Sequence, residues 1–148
     1  MKDTVVLDST PLGILCHPRN PPHVMACRQW VESLLLAGRR VVVPEIADYE
    51  VRRELIRINS VVALTNLDQL ATQLEYLPLT TAAMRVAAEL WAQARSTGQP
   101  TAPDPAIDAD VILAAQATTL KTAVVVATGN PAHLSRFVPA EFWSNIVP

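Results

Sequence analysis

Short runs of branched apolar residues constrain the fold of this chain more than any other feature. Three such runs, rich in valine, occupy residues 4–7, 40–43 and 123–127. They are too short for typical helices, and they lack the polar alternation of a strand with one face in water. Strands buried on both faces occur in parallel sheets that are covered by helices. The runs therefore predict the central strands of such a sheet.

The segments between these strands carry apolar residues at helical spacing. This spacing predicts helices over about residues 23–37, 44–58, 66–74 and 82–97, followed by a buried helix that begins at Asp108. Residues 75–79 predict a further strand, and Pro78 confines it to the edge of the sheet because proline has no amide proton to donate. The order of elements predicts an α/β fold, a three-layer α/β/α sandwich with a central parallel sheet.

The connecting and terminal segments complete the predicted architecture. Residues 11–22, which include four prolines, and residues 98–105 are predicted loops. Residues 132–147 are predicted to form a terminal turn whose three aromatic side chains, Phe137, Phe142 and Trp143, pack together on the core. We expect residues 1–148 to form a single domain, since this length fits one hydrophobic core.

The composition narrows the functional class. Half of the 148 residues are apolar, which supports a sizeable core, and the formal net charge of −2 provides no overall positive field for nucleic acid. Any contact with nucleic acid therefore requires a local patch, for which Arg52, Arg53, Arg57 and Lys121 are the candidates. Two cysteines, no leader after Lys2 and no long apolar run predict a cytoplasmic protein without a membrane contact.

Acidic residues lie where the predicted elements reach one edge of the sheet. Asp8 directly follows the first strand, Glu50 lies early in the helix after the second, and Asp110 lies early in the buried helix. Ligand sites in parallel sheets form at the carboxyl ends of the strands. Local roles explain some of these acids equally well, because Asp8 suits a turn, and Asp108 suits a helix N-cap with Asp110 in the first turn.

Three carboxylates that met in one crevice would repel one another. A hard divalent cation with oxygen ligands, such as Mg²⁺ or Mn²⁺, offsets this repulsion and suits phosphodiester chemistry. The pattern of Asp8, Glu50 and Asp110 on separate elements therefore predicts a site for such a cation.

Four segments together resemble the acidic motifs of PIN-domain ribonucleases, especially the VapC-type toxins. The segments are residues 5–10, 43–50, 110–115 and 126–130, and they occur in the family's order. The resemblance implies that Asp8, Glu50 and Asp110 are the catalytic and metal-binding residues, with Mg²⁺ or Mn²⁺ as cofactor. It implies metal-dependent hydrolysis of single-stranded RNA, as the toxin of a toxin–antitoxin pair.

The resemblance also assigns supporting roles near the metal or the phosphate. Ser9, Thr10 and Thr128 would supply hydrogen-bonding groups. In the last motif the family often has an aspartate two residues after the threonine, whereas this chain has Asn130. Asparagine keeps an oxygen ligand but loses the charge. Whether the site binds one metal ion or two is therefore open. Asp108 could replace the missing carboxylate.

Other functions remain open at this point. The missing aspartate permits a non-catalytic PIN-like module for RNA binding or assembly. A phosphatase of the type with two aspartates would need a second Asp where Thr10 stands, and a receiver-like domain would need an acidic pair and a late lysine, so both are disfavoured. The expected partners are RNA, a small antitoxin protein and a second copy of this chain in a homodimer.

Overall fold

The computed structural model describes residues 2–97 and 104–148. Its elements, in chain order, are β1 (Thr4–Leu7), α1 (Ser9–Leu15), α2 (Pro22–Leu36), β2 (Val41–Pro44), α3 (Glu45–Arg57), α4 (Val61–Gln73), β3 (Glu75–Leu77), α5 (Thr81–Ser96), α6 (Asp104–Thr118), β4 (Val124–Thr128), α7 (Pro131–Leu134), β5 (Ala140–Phe142) and a 3₁₀ helix (Trp143–Asn145). Side chains in α6 are described from Asp108 onward.

The strands of the described chain form one sheet in the order β3-β2-β1-β4-β5. All four neighbouring pairs are parallel, with Val5 opposite both Val41 and Val125. The predicted three-layer α/β/α architecture is confirmed, and β3 lies at the edge as predicted, although the strand ends at Leu77, before Pro78. Because the strands run in parallel, the residues that follow β1, β2 and β4 meet along a single edge of the sheet.

Successive valines of each central strand face opposite layers, as the two-residue period of a strand requires. Val5, Leu7, Val41 and Val43 belong to a core cluster with side chains from α1 to α4. Val6, Val42, Val124 and Val126 belong to a second cluster with side chains from α6 and α7. These strands are therefore buried on both faces, which explains their uninterrupted apolar sequences.

Local sequence signals explain where several helices begin and end. Pro22 starts α2 at a position where its missing amide proton costs nothing, and Gly38, with φ of 79°, follows its end. The Thr80 side chain accepts a hydrogen bond from the Ala83 amide at 3.1 Å, which caps α5. The predicted boundaries of these helices agree with the structure to within about one residue.

The prediction of a loop over residues 11–22 is wrong in its first part. Asp8 caps a short helix, α1, and Pro11 lies in the first turn, where proline is tolerated. The prolines that made the segment look irregular therefore flank or begin helices. The predicted loop over residues 98–105 lies outside the described residues for 98–103, and α6 begins at Asp104.

Two further predictions about α6 and the carboxyl terminus are corrected. Since α6 begins at Asp104, Asp108 lies inside the helix and is not its N-cap. The three terminal aromatic residues do not form one cluster: Trp143 packs against Trp30 on one layer, Phe137 packs on the other, and Phe142 is exposed. Residues 140–142 add β5 to the sheet, a strand that is too short for its sequence pattern to indicate.

A fully buried glutamine connects α6 to the beginning of α3. The side-chain oxygen of Gln116 accepts a hydrogen bond from the Ile46 amide at 3.1 Å, and its side-chain nitrogen donates to the Leu77 carbonyl at 2.9 Å. The Ile46 amide belongs to the first turn of α3, where amides have no partner within the helix. Gln116 therefore fixes α3 and α6, the two helices that carry Glu50 and Asp110, against each other.

Candidate active site

Asp8 stands at the carboxyl end of β1 and uses both of its carboxylate oxygens. Oδ1 accepts a hydrogen bond from the Ser9 amide at 2.7 Å, which makes Asp8 the N-cap of α1. Oδ2 accepts from the Thr128 hydroxyl at 2.7 Å, across the sheet from the end of β4. The predicted local role of Asp8 is confirmed, and the cap leaves the second carboxylate oxygen directed toward the neighbouring strand end.

Thr128 is almost completely buried and is held in turn by the backbone. Its hydroxyl oxygen accepts a hydrogen bond from the Asn130 amide at 3.1 Å, which leaves the hydroxyl proton for Asp8. A Cβ at Gly129 would lie 2.7 Å from the Thr10 side chain, so only glycine allows α1 to approach β4 this closely. The ends of β1 and β4 thus form a rigid wall with Asp8 at its centre.

Glu50 and Asp110 approach the same edge from two helices. The helix α3 begins directly after β2, so Glu50 in its second turn remains near the carboxyl ends of the strands. The helix α6 runs back along the sheet before β4, so Asp110 near its beginning lies at that edge as well. Both side chains are partly buried.

The electrostatics connect these two acids to Asp8. Burial and then the charge on Asp8 raise the pKa of Glu50 to about 7, with a smaller contribution from Asp110 and with Arg53 opposing the shift. Burial and the charge on Asp8 also raise the pKa of Asp110 to about 6, against the positive charges of His133 and Arg136. Asp8 is therefore the common negative neighbour of two acids that resist ionisation.

The donor chemistry determines which cation this arrangement fits. Oxygen donors from Asp8, Glu50 and Asp110 match a hard divalent ion, and a positive charge among them would relieve the repulsion that raises the two pKa values. In the described residues, no three His, Cys, Asp or Glu side chains are grouped closely enough to enclose a metal. Oxygen donors alone suit a hard ion that keeps several waters, as Mg²⁺ does, whereas structural zinc sites take Cys and His ligands.

Comparison with known proteins agrees with this geometry. The family model of the PIN domain matches residues 5–140, which include every candidate site residue. The chain belongs to the PIN domain family. No curated protein matches the sequence at a significant level.

Solved structures share the fold of this PIN domain. FitAcB from Neisseria gonorrhoeae has a TM-score of 0.70 at 19% identity, covering 97% of this chain and 100% of that chain. VapBC2 from Rickettsia felis, bound to a DNA fragment from their promoter, has a TM-score of 0.72 at 15% identity, covering 95% and 98%. DNA-bound VapBC from Salmonella typhimurium has a TM-score of 0.65 at 22% identity, covering 96% and 99%.

Two of the predicted supporting residues of the PIN domain, Asp108 and Asn130, are exposed. Asp108 is exposed and lines a groove between α5 and α6 with Met84 and Trp91. Two residues along a helix are about 200° apart around its axis, so Asp108 and Asp110 face different directions. Asn130 is exposed beyond the end of β4 and reaches Thr128 through its backbone amide.

The four candidate phosphate contacts of the PIN domain have different surroundings. Arg52 pairs with Asp48 at 3.0 Å and with Asp68 at 2.8 Å, and Arg57 pairs with Glu54. Lys121 precedes β4 and therefore lies at the opposite edge of the sheet from Asp8. Arg53 lines a groove of about 390 Å³ together with Ser9, Thr10 and Glu50, and it alone of the four faces the site.

The sequence analysis missed two basic residues near Asp110. His133 on α7 and the following Arg136 both lower the pKa of Asp110 through their positive charges. The signal was available, since both residues follow the last acidic motif by a few positions, but a single histidine without a partner in sequence indicates no function by itself. Among the described helices of the PIN domain, none has the length and apolarity needed to cross a membrane.

Proposed function

We propose that this PIN domain is a divalent-cation-dependent endoribonuclease of the VapC type, which hydrolyses phosphodiesters of single-stranded RNA. Asp8, Glu50 and Asp110 are its catalytic and metal-binding residues. Mg²⁺ or Mn²⁺ is its cofactor, and the protein is the toxin of a toxin–antitoxin pair.

One observation carries the proposal. Burial and the charge on Asp8 raise the pKa values of Glu50 and Asp110, two acids on different helices, so three carboxylates from three elements share one electrostatic environment. The positive charges of Arg53 near Glu50 and of His133 and Arg136 near Asp110 offset these increases only in part. Carboxylates held in such an unfavourable charge environment are typical of sites that gain stability when a ligand binds.

The side chains have separate tasks in the proposed reaction. A bound cation would supply Lewis-acid activation of water and would neutralise charge that develops on the phosphate. Asp8 would hold the cation, and the Thr128 hydroxyl at 2.7 Å fixes its carboxylate in one orientation. Glu50 and Asp110 would complete the ligand set, and a bound cation would favour their ionised forms. Ser9 and Thr10, which line the adjoining groove, would donate hydrogen bonds to phosphate oxygens.

A nuclease assay tests the proposal. We expect purified protein to cleave a labelled single-stranded RNA pool with Mg²⁺ or Mn²⁺, and we expect a chelator to stop the cleavage. Ca²⁺ at the same concentration provides the matched control for a divalent charge without the same catalytic geometry. Absence of cleavage with both metals, in protein whose fold is verified by circular dichroism, would contradict the proposal. RNA binding without cleavage would then favour the non-catalytic module.

The same proposal includes protein partners. A VapC-type toxin implies a small antitoxin protein, which we expect to be encoded by a short reading frame next to the gene and to inhibit cleavage when co-purified. Light scattering of the protein alone and of the mixture measures whether the chain forms a homodimer and whether the partner joins it. A neighbouring product that neither binds nor inhibits the chain would contradict the assignment as a toxin.

A further inference from the structure

The groove beside Glu50 provides a path into the site from one side. Its walls are formed by α1 and α3, and its volume is about 390 Å³. Ser9, Thr10 and Glu50 line it at the crevice, and Arg53 lines it one helical turn beyond Glu50. A nucleic-acid strand that reached the crevice along this groove would therefore pass Arg53.

Arg53 differs from its neighbours on α3 in what it pairs with. Within the described residues, Arg52 and Arg57 form ion pairs with carboxylates, whereas Arg53 forms none. Its guanidinium lies 5.1 Å from the ring centroid of Tyr49, one turn earlier on the same helix. Tyr49 is 57% exposed, and it is adjacent to the groove through the guanidinium of Arg53, which lines it.

These properties match the requirements of single-stranded RNA. Its unpaired bases stack on aromatic rings and on guanidinium planes, and its phosphates need a positive charge wherever they approach carboxylates. A chain with a net charge of −2 offers no overall attraction for RNA, which makes a local cation next to the crevice more important.

We propose that Tyr49 and Arg53 form a nucleotide subsite, in which Tyr49 stacks on an unpaired base and Arg53 contacts the phosphate next to the one that is cleaved. This inference rests on the proposed ribonuclease function and adds the residues that hold the strand. It also gives a reason for the preference for single strands, because a base within a duplex is stacked on its neighbours and is not available to Tyr49.

A second aromatic–arginine pair in the chain provides a matched control. Trp91 and Arg95 on α5 have the same four-residue spacing and the same separation of 5.1 Å, and Trp91 is 40% exposed. Trp91 lines the groove between α5 and α6, apart from Ser9, Thr10 and Glu50. If such pairs only stabilise their own helices, the two pairs will behave alike toward RNA.

The test measures the affinity for a fluorescein-labelled single-stranded RNA oligonucleotide of mixed sequence, by anisotropy in the presence of a chelator so that no cleavage occurs. We expect Tyr49→Leu to weaken binding about tenfold and Tyr49→Phe to stay within about twofold, since phenylalanine keeps the ring. Arg53→Ala should weaken binding and reduce the salt slope of log affinity by about 0.7, the value for one phosphate contact on a single strand. Trp91→Leu and Lys121→Ala should bind like the unmodified protein.

The duplex of the same sequence gives an additional comparison. Tyr49→Leu should leave the affinity for the duplex unchanged, because no unpaired base is available there. Equal affinities of Tyr49→Leu and the unmodified protein for the single strand, or equal losses in Tyr49→Leu and Trp91→Leu, would overturn the subsite. In that case the exposed pair would be a surface for a protein partner.

Cleavage assays on the same preparations separate this inference from the proposed function. Cleavage by the unmodified protein together with unaltered RNA affinity in Tyr49→Leu would overturn the subsite alone. Tyr49-dependent RNA binding without cleavage under any condition would support the subsite and contradict the ribonuclease. An unmodified protein that neither binds nor cleaves the oligonucleotide would overturn both.

Discussion

Two acidic residues on α3, Asp48 and Glu50, lie in opposite electrostatic surroundings. Asp48 is buried, and its carboxylate accepts hydrogen bonds from Arg52 Nε at 3.0 Å and from the Tyr76 hydroxyl at 2.7 Å. Two residues later Glu50 is partly buried, and within the described part of the chain no hydrogen bond or ion pair reaches it. Its nearest charges are mostly negative, and its pKa rises to about 7.

The difference between these two acids lies in their partners rather than in their burial. Around Asp48 the fold supplies a guanidinium and a phenol, and Arg52 continues to Asp68 on α4, so the network joins α3, α4 and β3. Around Glu50 it supplies the negative charges of Asp8 and Asp110, which the positive charge of Arg53 offsets only in part. Paired charges hold elements together, whereas carboxylates gathered without partners are available to a ligand. The following predictions test this contrast from the largest expected effect to the smallest.

Asp8→Asn should have the largest effect on function. Asparagine is as good a helix N-cap as aspartate, so α1 should remain intact. Relief of the charge repulsion and loss of the oxygen that accepts the Thr128 hydroxyl proton act in opposite directions, so the stability of the metal-free protein should change little. We expect cleavage to fall by more than about 100-fold, because loss of even an outer partner of a metal ligand costs about 10- to 100-fold. The rise in melting temperature on addition of Mn²⁺ should disappear as well.

Glu32→Gln, which neutralises an exposed acid on α2, is the control for charge alone and should retain cleavage and the Mn²⁺ response. A melting temperature of the unmodified protein that does not respond to Mn²⁺, combined with unaltered cleavage in Asp8→Asn, would leave Asp8 with its capping role only.

Asp48→Asn should lower stability and leave cleavage unchanged, the opposite of what is expected for Asp8→Asn. It removes the charge that Arg52 and Tyr76 share, and we expect the free energy of unfolding to fall by about 2 kcal/mol, as for hydrogen bonds to charged groups. Urea denaturation measures this loss, and cleavage per folded molecule should be unchanged. Asp68→Asn, whose side chain is 65% exposed, should cost less than about 1 kcal/mol. Equal costs at the two positions would contradict a central role for Asp48.

The pH dependence of stability should distinguish Glu50 from the paired acids. Its pKa is about 7 in the folded protein and near the ordinary 4.5 when unfolded, so the folded state keeps a proton that the unfolded chain has released. This contribution to stability is complete below the unfolded pKa and is lost as the pH rises through the folded pKa. Metal-free protein should therefore lose stability between about pH 5 and pH 8.

Glu50→Gln has no such titration and should lose less stability over the same range. Asp110, whose pKa rises to about 6, should contribute in the same direction at slightly lower pH. Parallel stability curves for Glu50→Gln and the unmodified protein, measured by urea denaturation in chelator, would refute the electrostatic account of Glu50.

Asn130→Asp should have the smallest effect. A charged oxygen binds a hard cation better than an amide, so we expect Mn²⁺ affinity or cleavage to rise a few-fold. The gain is limited because Asn130 is exposed and holds Thr128 through its backbone, which the substitution leaves intact. Gln29→Glu on the exposed side of α2 controls for the added charge. A decrease in both affinity and cleavage would mean that the asparagine is a selected part of the site.

The apolar pattern of the sequence was sufficient for the layered architecture. Runs such as residues 41–43 can only be strands buried on both faces, and parallel order follows because helices separate them. The apolar runs also locate the ends of the strands, so the acidic residues that follow these ends could be identified from the sequence. The sequence did not indicate α1, because Pro11 and the prolines that follow it are typical of a loop. It did not indicate β5 either, because the conformation of these three residues depends on pairing with β4.

The amino-acid sequence by itself determined the α/β class and the order of the central strands and the long helices. Only the tertiary structure decided what each polar residue does, because partners are contributed by distant segments. Thr128 reaches Asp8 across 120 positions, and Gln116 fixes α3 from α6 across 70. Asp48 and Glu50 look alike in the sequence, but their neighbours differ. Residues of α4 and β3 belong to the ion-pair network of Asp48, whereas acidic residues after β1 and on α6 lie near Glu50.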